Sequence, residues 1–127
     1  MKPQRLVFGI FLTVLLAMPF SAHHSISAEF DSRKQVTLRG TVNNVDWMNP
    51  HSYVFVEVKD GGVGNARTWA CELPSTAELA RRGFNRASLK VGMEVRLVGV
   101  RAKDGSYRIH TDSLTAENSV LFSQRRN

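Results

Sequence analysis

The sequence is poor in cysteine, since Cys71 is the only one among 127 residues. A disulfide framework needs an even set of cysteines, so a domain of this size must be stabilised by its own hydrophobic core. Cys71 alternates with Trp69 and Leu73, which predicts a strand whose three side chains share one face. The simpler interpretation of Cys71 is a buried thiol that packs as a small apolar side chain. A catalytic or metal-binding thiol is the alternative, but no base stands near it in the sequence.

The common catalytic motifs are also missing. The chain contains no glycine-rich phosphate loop and no HExxH, CxxC or GxSxG motif. Its acidic residues show no paired arrangement of the kind that general acid and base catalysis uses. We therefore predict that the protein is not an enzyme.

Strong charge of one sign is missing as well, because the net charge is only +6. Such a balance favours anionic surfaces without being a signature of nucleic-acid binding. The basic residues that cluster lie around the end of a predicted helix: Arg81, Arg82, Arg86 and Lys90. They are interpreted either as solvated cations that complement the helix dipole or as an anion site. Base stacking would need aromatic neighbours, and Phe84 is the only one close in sequence, so we predict no nucleic-acid partner.

Long apolar runs are limited to the beginning of the chain. Two basic residues precede an uncharged run from Leu6 to Met18, and small residues follow as far as Ala22. This order is typical of a secretory signal peptide, and the run is short for a membrane-spanning helix. We predict that residues 1–22 are cleaved, that the mature chain has no stable membrane span, and that it resides in the periplasm.

Cleavage after Ala22 would make His23 the new N-terminus, with His24 beside it. The free amine and the imidazole would then chelate one metal ion, and such nitrogen donors suit Cu(II) in a tetragonal plane. Cleavage after Ser21 would also give a terminus able to bind Cu(II), with the imidazole at the third position. Cleavage after Ala28 would discard both histidines, and a solvated start of the mature chain would give them no role.

A third histidine, His51, stands in the string W-M-N-P-H-S after the first predicted strand. In an OB-type barrel that loop lies beside the binding face. We predict that His51 completes the metal site and that Trp47 and Asn49 bind ligand. The alternative is a proline turn with a half-exposed histidine. His110 has the opposite phase to Ile109 in its strand, so we predict that it points to solvent.

The alternation of apolar and polar residues predicts a mostly β protein. Five strands are expected at residues 35–48, 52–59, 67–73, 94–100 and 107–111, the last with an alternative end at residue 116, and a last short apolar stretch follows at 120–122. The first strand changes phase between Gly40 and Asn44, which indicates a bulge or bend. A helix between strands three and four begins at Ser75, where Glu78 completes a capping box, and ends near Gly83.

This order predicts a small five-stranded OB-like barrel with one helix between strands three and four. The barrel domain is expected to span residues 35–122. A flexible N-terminal segment at residues 23–34 precedes it, and a basic tail at residues 123–127 follows. The predicted inward-facing residues are Val36, Leu38, Val42, Val54, Val56, Val58, Trp69, Cys71, Leu73, Val95 and Leu97.

Several strings resemble an uncharacterised family of small exported bacterial proteins that is known only as a domain of unknown function. The most specific are A-H-H-S at residues 22–25 and W-M-N-P-H-S at residues 47–52. Further matching strings stand at residues 29–31, 38–42, 79–83, 88–92 and 102–106. The resemblance covers most of residues 22–122. It implies export and a small β-rich domain, and it implies no activity.

These observations together predict an exported, non-catalytic binding module. Its concrete form is a Cu(II) site made by His23, His24 and His51. The alternative is a metal-free periplasmic adaptor that binds an anionic ligand or another exported protein through the face of the barrel.

Overall fold

The computed structural model describes residues 25–59, 61 and 64–124. The predicted signal peptide, His23, His24 and most of the predicted basic tail lie outside these residues. The elements follow in the order α1 (Ile26–Glu29), β1 (Phe30–Asp46), β2 (Ser52–Lys59), β3 (Ala66–Leu73), α2 (Thr76–Arg81), β4 (Glu94–Ala102), β5 (Arg108–Ala116) and β6 (Ser119–Ser123). No helix in this part of the chain is long and apolar enough to cross a membrane.

The six strands form one sheet. Hydrogen-bonded neighbours follow the order β3-β2-β1-β4-β5-β6, and β3 also pairs in parallel with β5. The pairings therefore close a ring through β1, β2, β3, β5 and β4, with β6 beside β5. The predicted mostly β class is confirmed. The strand count is six rather than five, because the short apolar stretch at 120–122 pairs with β5 as a strand of its own.

The long first strand contributes to two parts of the ring. Its first part pairs with β4, its last part pairs with β2, and Thr41 has partners on both strands. The register with β2 shifts between Val42 and Asn44, which confirms the predicted irregularity in this stretch. An extra residue on one strand bends that strand and increases its twist, so β1 can turn from one neighbour to the other.

The main core lies inside the ring and consists of the alternating apolar side chains of the strands. Nine of the eleven side chains predicted to face inward are buried, and Val36 and Val58 are partly buried against the same cluster. The segment after α2 contributes Phe84 and Leu89, both buried in this cluster.

Helix α2 lies between β3 and β4 in the chain, as predicted. The Ser75 hydroxyl accepts a hydrogen bond from the Glu78 backbone N–H at 3.2 Å, which is one half of the predicted capping box. The Glu78 carboxylate instead pairs with Arg82 at 2.7 Å. The helix ends at Arg81, and Gly83 follows with a φ of +79°, the left-handed conformation that glycine adopts without steric cost. Its inner face buries Leu79 completely.

Regular structure begins before the predicted domain start at residue 35. Helix α1 and the first five residues of β1 lie in the segment predicted to be flexible. Phe30, at the start of β1, packs with Val100 and Ala102 in a second, smaller apolar cluster apart from the main core. This early segment covers the face of the sheet on which the candidate site lies.

Candidate functional site

A row of polar side chains crosses three strands on the face opposite the main core. Tyr53 of β2 is the register partner of Glu72 of β3, and Glu72 is the register partner of His110 of β5. Their neighbours in the strands, among them Cys71 and Ile109, are fully buried in the core. Because successive side chains of a strand point to opposite faces, the three polar side chains share the outer face.

Glu72 holds His51 at one end of this row. The His51 Nδ1 lies 2.9 Å from the Glu72 Oε1, while 46% of the His51 side chain and 8% of the Glu72 side chain are exposed. The half-exposed imidazole therefore lies at ion-pair distance from a buried carboxylate. The turn before β2 thus brings His51 against Glu72 of the neighbouring strand.

The prediction that His110 points to solvent is wrong, since the residue is only 6% exposed. Its phase in the strand was read correctly, but the outer face is covered at this position. The Phe30 ring lies 5.6 Å from the His110 ring, centroid to centroid. Neither ring nitrogen of His110 has a hydrogen-bond partner, and its Nδ1 lies 3.8 Å from the Glu72 Oε1.

The cover over this row is the segment of residues 25–30, which we call the N-terminal strap. Lys103 holds it through two hydrogen bonds, from its backbone N–H to the Glu29 carbonyl at 2.9 Å and from its ammonium to the Ser27 carbonyl at 2.5 Å. Arg108 adds an ion pair with the Glu29 carboxylate at 3.0 Å and lies over the Phe30 ring.

Three cavities lie between the strap and the polar row, and two of them reach His51. The larger of these two has a volume of about 460 Å³, and its lining includes His51, His110 and Ile26. The smaller has a volume of about 290 Å³, and its lining includes Ser25, His51 and Glu72. His51 thus lies on both cavities, and the strap contributes to both.

The arginines at these cavities are already neutralised. Arg82 pairs with Glu78 at 2.7 Å, and Arg108 pairs with Glu29 at 3.0 Å. Burial, together with the charge of Glu72, raises the pKa of the Tyr53 hydroxyl, so that group stays neutral at physiological pH. No unpaired guanidinium is therefore found among the described residues that line these two cavities.

The other two predicted ligand residues, Trp47 and Asn49, have contacts outside the two cavities that reach His51. The Trp47 ring packs on the Phe84 ring at 5.5 Å, with the Arg86 guanidinium 5.8 Å from the Trp47 ring centroid. The Asn49 side-chain carbonyl accepts a hydrogen bond from the Thr76 hydroxyl at 2.9 Å. Neither Trp47 nor Asn49 lines these two cavities.

Of the three predicted metal ligands, only His51 belongs to the part of the chain that the structure describes. His23 and His24 lie outside it, while Ser25, the residue after His24, lines the same cavity as His51. Within residues 25–59, 61 and 64–124, no group of three histidine, cysteine or acidic side chains is arranged to hold a metal ion.

Sequence reasoning missed Glu72 and His110 as members of one site. Glu72 is a polar residue between the apolar Cys71 and Leu73, and His110 follows the apolar Ile109 in its strand, which was the signal available. Their contact depends on the parallel pairing of β3 with β5, which no local pattern of the sequence contains.

The chain was also compared with known proteins. No curated protein and no solved structure matches it. The family of unknown function DUF6152 matches residues 12–110, a stretch that includes the predicted terminal histidines, the proline turn and every member of the polar row. The chain therefore belongs to the family of unknown function DUF6152.

Proposed function

We propose that the mature protein is a periplasmic, non-catalytic binding module for Cu(II). The ligands are the terminal amine and imidazole of His23, with His24 and His51 to complete the set. One observation carries this proposal: Ser25, the residue after His24, lines the same cavity as His51, whose Nδ1 lies 2.9 Å from the Glu72 Oε1. We infer that the predicted chelating terminus shares a metal ion with His51.

The charge around the cavities favours a cation over an anion. Both arginines are paired with glutamates, and the Glu72 carboxylate is buried beside His51. A metal-free anion site would need an unneutralised guanidinium or ammonium group. Amine and imidazole nitrogens are also the donors for which Cu(II) has the highest affinity among the divalent first-row metals.

The strap lowers the entropic cost of this site. Ordering a flexible residue costs on the order of 1–2 kcal/mol. Lys103 already holds the carbonyls of Ser27 and Glu29, so the segment that follows the predicted terminus is anchored to the fold. Several nitrogen bonds to Cu(II) exceed that cost.

The proposed fold for this module is an OB-like barrel. The support is the ring order β1-β2-β3-β5-β4, with a long bent first strand that pairs with both β2 and β4. The helix between β3 and β4 is the second feature that this architecture uses. The proline turn that carries His51 joins β1 to β2, a position at which OB folds bind ligands.

Export is tested by the identity of the first residue of the mature protein. Fractionation of the native host should find a shortened protein in the periplasm, and its intact mass should correspond to a chain that begins at His23. A full-length product in the membrane would contradict export. A chain that begins at Glu29 would retain export but exclude the proposed metal site, because both terminal histidines would be removed.

Copper binding is tested by titration of the exported protein with Cu(II), followed by calorimetry and electron paramagnetic resonance. An extra Met before His23 displaces the terminal amine, and His51→Ala removes one imidazole. Each change should weaken binding by about tenfold or more, equivalent to about 1.4 kcal/mol. Binding should also weaken as the pH falls through the imidazole range, since a protonated histidine cannot bind the metal.

The matched control is Met48→Ala, which alters an exposed side chain of the same turn that carries no nitrogen donor. It should bind Cu(II) as tightly as the unaltered protein. If all four proteins bind equally weakly, without nitrogen hyperfine structure, the copper proposal fails. The metal-free adaptor would then take its place.

A further inference from the structure

Two arginines lie at strand positions that face the interior of the ring. Arg67 stands two residues before Trp69 in β3, and Trp69 belongs to the main core. Arg101 has the opposite phase to Val100 and Ala102 in β4, and those two pack in the second cluster, apart from the main core. Because successive side chains of a strand alternate between its faces, both arginines point toward the inside of the ring. They lie at the end of the ring away from α2, since α2 follows the other end of β3.

Tyr107, the residue before β5, joins these side chains in one group. We call it the arginine stack, and it consists of Arg67, Trp69, Arg101 and Tyr107. The guanidinium carbon of Arg67 lies 5.5 Å from the centre of the Tyr107 ring. That of Arg101 lies 5.9 Å from the same ring and 5.3 Å from the Trp69 ring. The two rings meet edge to face at 5.2 Å, so the aromatic faces hold two positive charges beside each other by cation–π attraction.

No carboxylate of the described chain neutralises these two charges. The Arg67 guanidinium has neither an ion pair nor a hydrogen bond there, and the Arg101 guanidinium donates one hydrogen bond, to the Gly105 carbonyl at 3.0 Å. Arg82 and Arg108 differ in this respect, because each pairs with a glutamate. Neighbouring cations repel each other, so an anion placed beside both arginines of the stack would be bound favourably.

Packing alone does not account for the stack. The Arg101 Nε and the Trp69 Nε1 are shielded from solvent, and neither has a hydrogen-bond partner among the described residues. A buried polar group without a partner costs free energy. An aliphatic side chain at position 101 would cover Trp69 without that cost.

The outer part of the stack is open to a partner. Tyr107 is 43% exposed and Arg67 is exposed, while Trp69 is buried. Tyrosine, tryptophan and arginine are the residues that most often dominate the binding energy of protein interfaces. The planar fork of donors on a guanidinium matches a carboxylate, and a guanidinium that already rests on a ring loses little freedom when it binds one.

We propose that the arginine stack binds the carboxylates of an acidic segment of a partner protein. The ligand would contact the outer guanidinium nitrogens of Arg67 and Arg101 and the exposed ring of Tyr107, rather than the two shielded nitrogens. A lipid surface fits less well, because electrostatic attachment to a membrane uses a cluster of roughly 4–8 basic residues. The stack has no residue in common with the cavities beside the strap, so this site is independent of the proposed copper site.

The test is calorimetric titration of the exported protein with hexaglutamate. Arg67→Gln and Arg101→Gln should each weaken binding by about fivefold or more, since each removes a charged hydrogen-bond donor. The matched control is Arg96→Gln, which makes the same change at an exposed arginine of β4 outside the stack. It should change the affinity by less than about twofold. Circular dichroism establishes that each variant is folded, and the exposed Arg67 provides the test where Arg101→Gln does not fold.

A second arm distinguishes the acidic segment from a membrane. The same proteins are sedimented with vesicles of phosphatidylglycerol. Binding to vesicles that is lost in Arg67→Gln, without binding of hexaglutamate, would assign the stack to a lipid surface and overturn the proposal. Equal losses of hexaglutamate affinity in Arg67→Gln and Arg96→Gln would also overturn it, because net charge alone would then explain the attraction. Absence of binding to either probe would overturn it as well, and none of these outcomes bears on copper binding.

Discussion

Replacing Gly40 by alanine should lower the free energy of unfolding by about 3 kcal/mol or more. This is the upper end of the range that overpacked core substitutions usually cost. A Cβ atom at this position would lie 2.1 Å from the Glu57 carbonyl oxygen and 2.9 Å from the Val56 Cγ1. The first contact is with backbone, which cannot move aside without breaking the pairing of β1 with β2. Urea denaturation followed by tryptophan fluorescence measures the loss, which is a large part of the stability of a small domain.

Gly83→Ala is the matched control for this prediction. Nothing lies within 4 Å of a Cβ added at Gly83, so only the left-handed φ of +79° opposes the change. That conformation costs a non-glycine residue roughly 1–2 kcal/mol. If Gly40→Ala lowers the free energy of unfolding no more than Gly83→Ala does, then β1 and β2 can move apart at Gly40. The explanation by close contact would then be wrong.

Cys71 should react with iodoacetamide about a thousandfold more slowly in the native protein than in the unfolded chain at pH 8. Burial raises the pKa of its thiol from 9.0 to about 12, and the thiolate is the reactive form. The side chain is also fully buried in the core, which denies access to the reagent. Alkylation followed by mass spectrometry, with and without urea, measures the ratio.

The same burial makes stability depend on alkaline pH. The native state holds the thiol proton more tightly than the unfolded chain does. The stabilisation by the protonated thiol is therefore complete below its ordinary pKa of 9.0 and is lost as the pH rises toward 12. Cys71→Ala should show a smaller alkaline loss than the unaltered protein. Alkylation of native Cys71 as fast as in urea would contradict its burial and reopen the reactive-thiol interpretation.

The strands could be predicted because their information is local. Alternation of apolar and polar residues identified β2 over its full observed length, and it placed Val54 and Val56 in the core. The change of phase in β1 indicated the register shift that the pairing with β2 contains. The cap at Ser75 was equally visible, because the donor and the acceptor of that hydrogen bond are three residues apart.

The candidate site was only half predictable from the sequence. His51 was recognised from its proline turn, but its partner Glu72 is distant in the chain and belongs to another strand. His110 was assigned to the surface because periodicity says which side of a strand a residue occupies and not what covers that side. The strap that covers it was predicted to be loosely held, although its backbone carbonyls are bound by Lys103.

The sequence by itself determined the mostly β class, the positions of the core strands, the helix between β3 and β4, and the membership of the family. These properties follow from periodicity, turn residues and motifs, all of which act over a few neighbouring residues. Only the tertiary structure decided that β3 pairs with β5, that the strap covers the outer face, and that Glu72 lies between His51 and His110. Such contacts join residues far apart in the chain, and their geometry is set by closure of the whole ring rather than by any local preference.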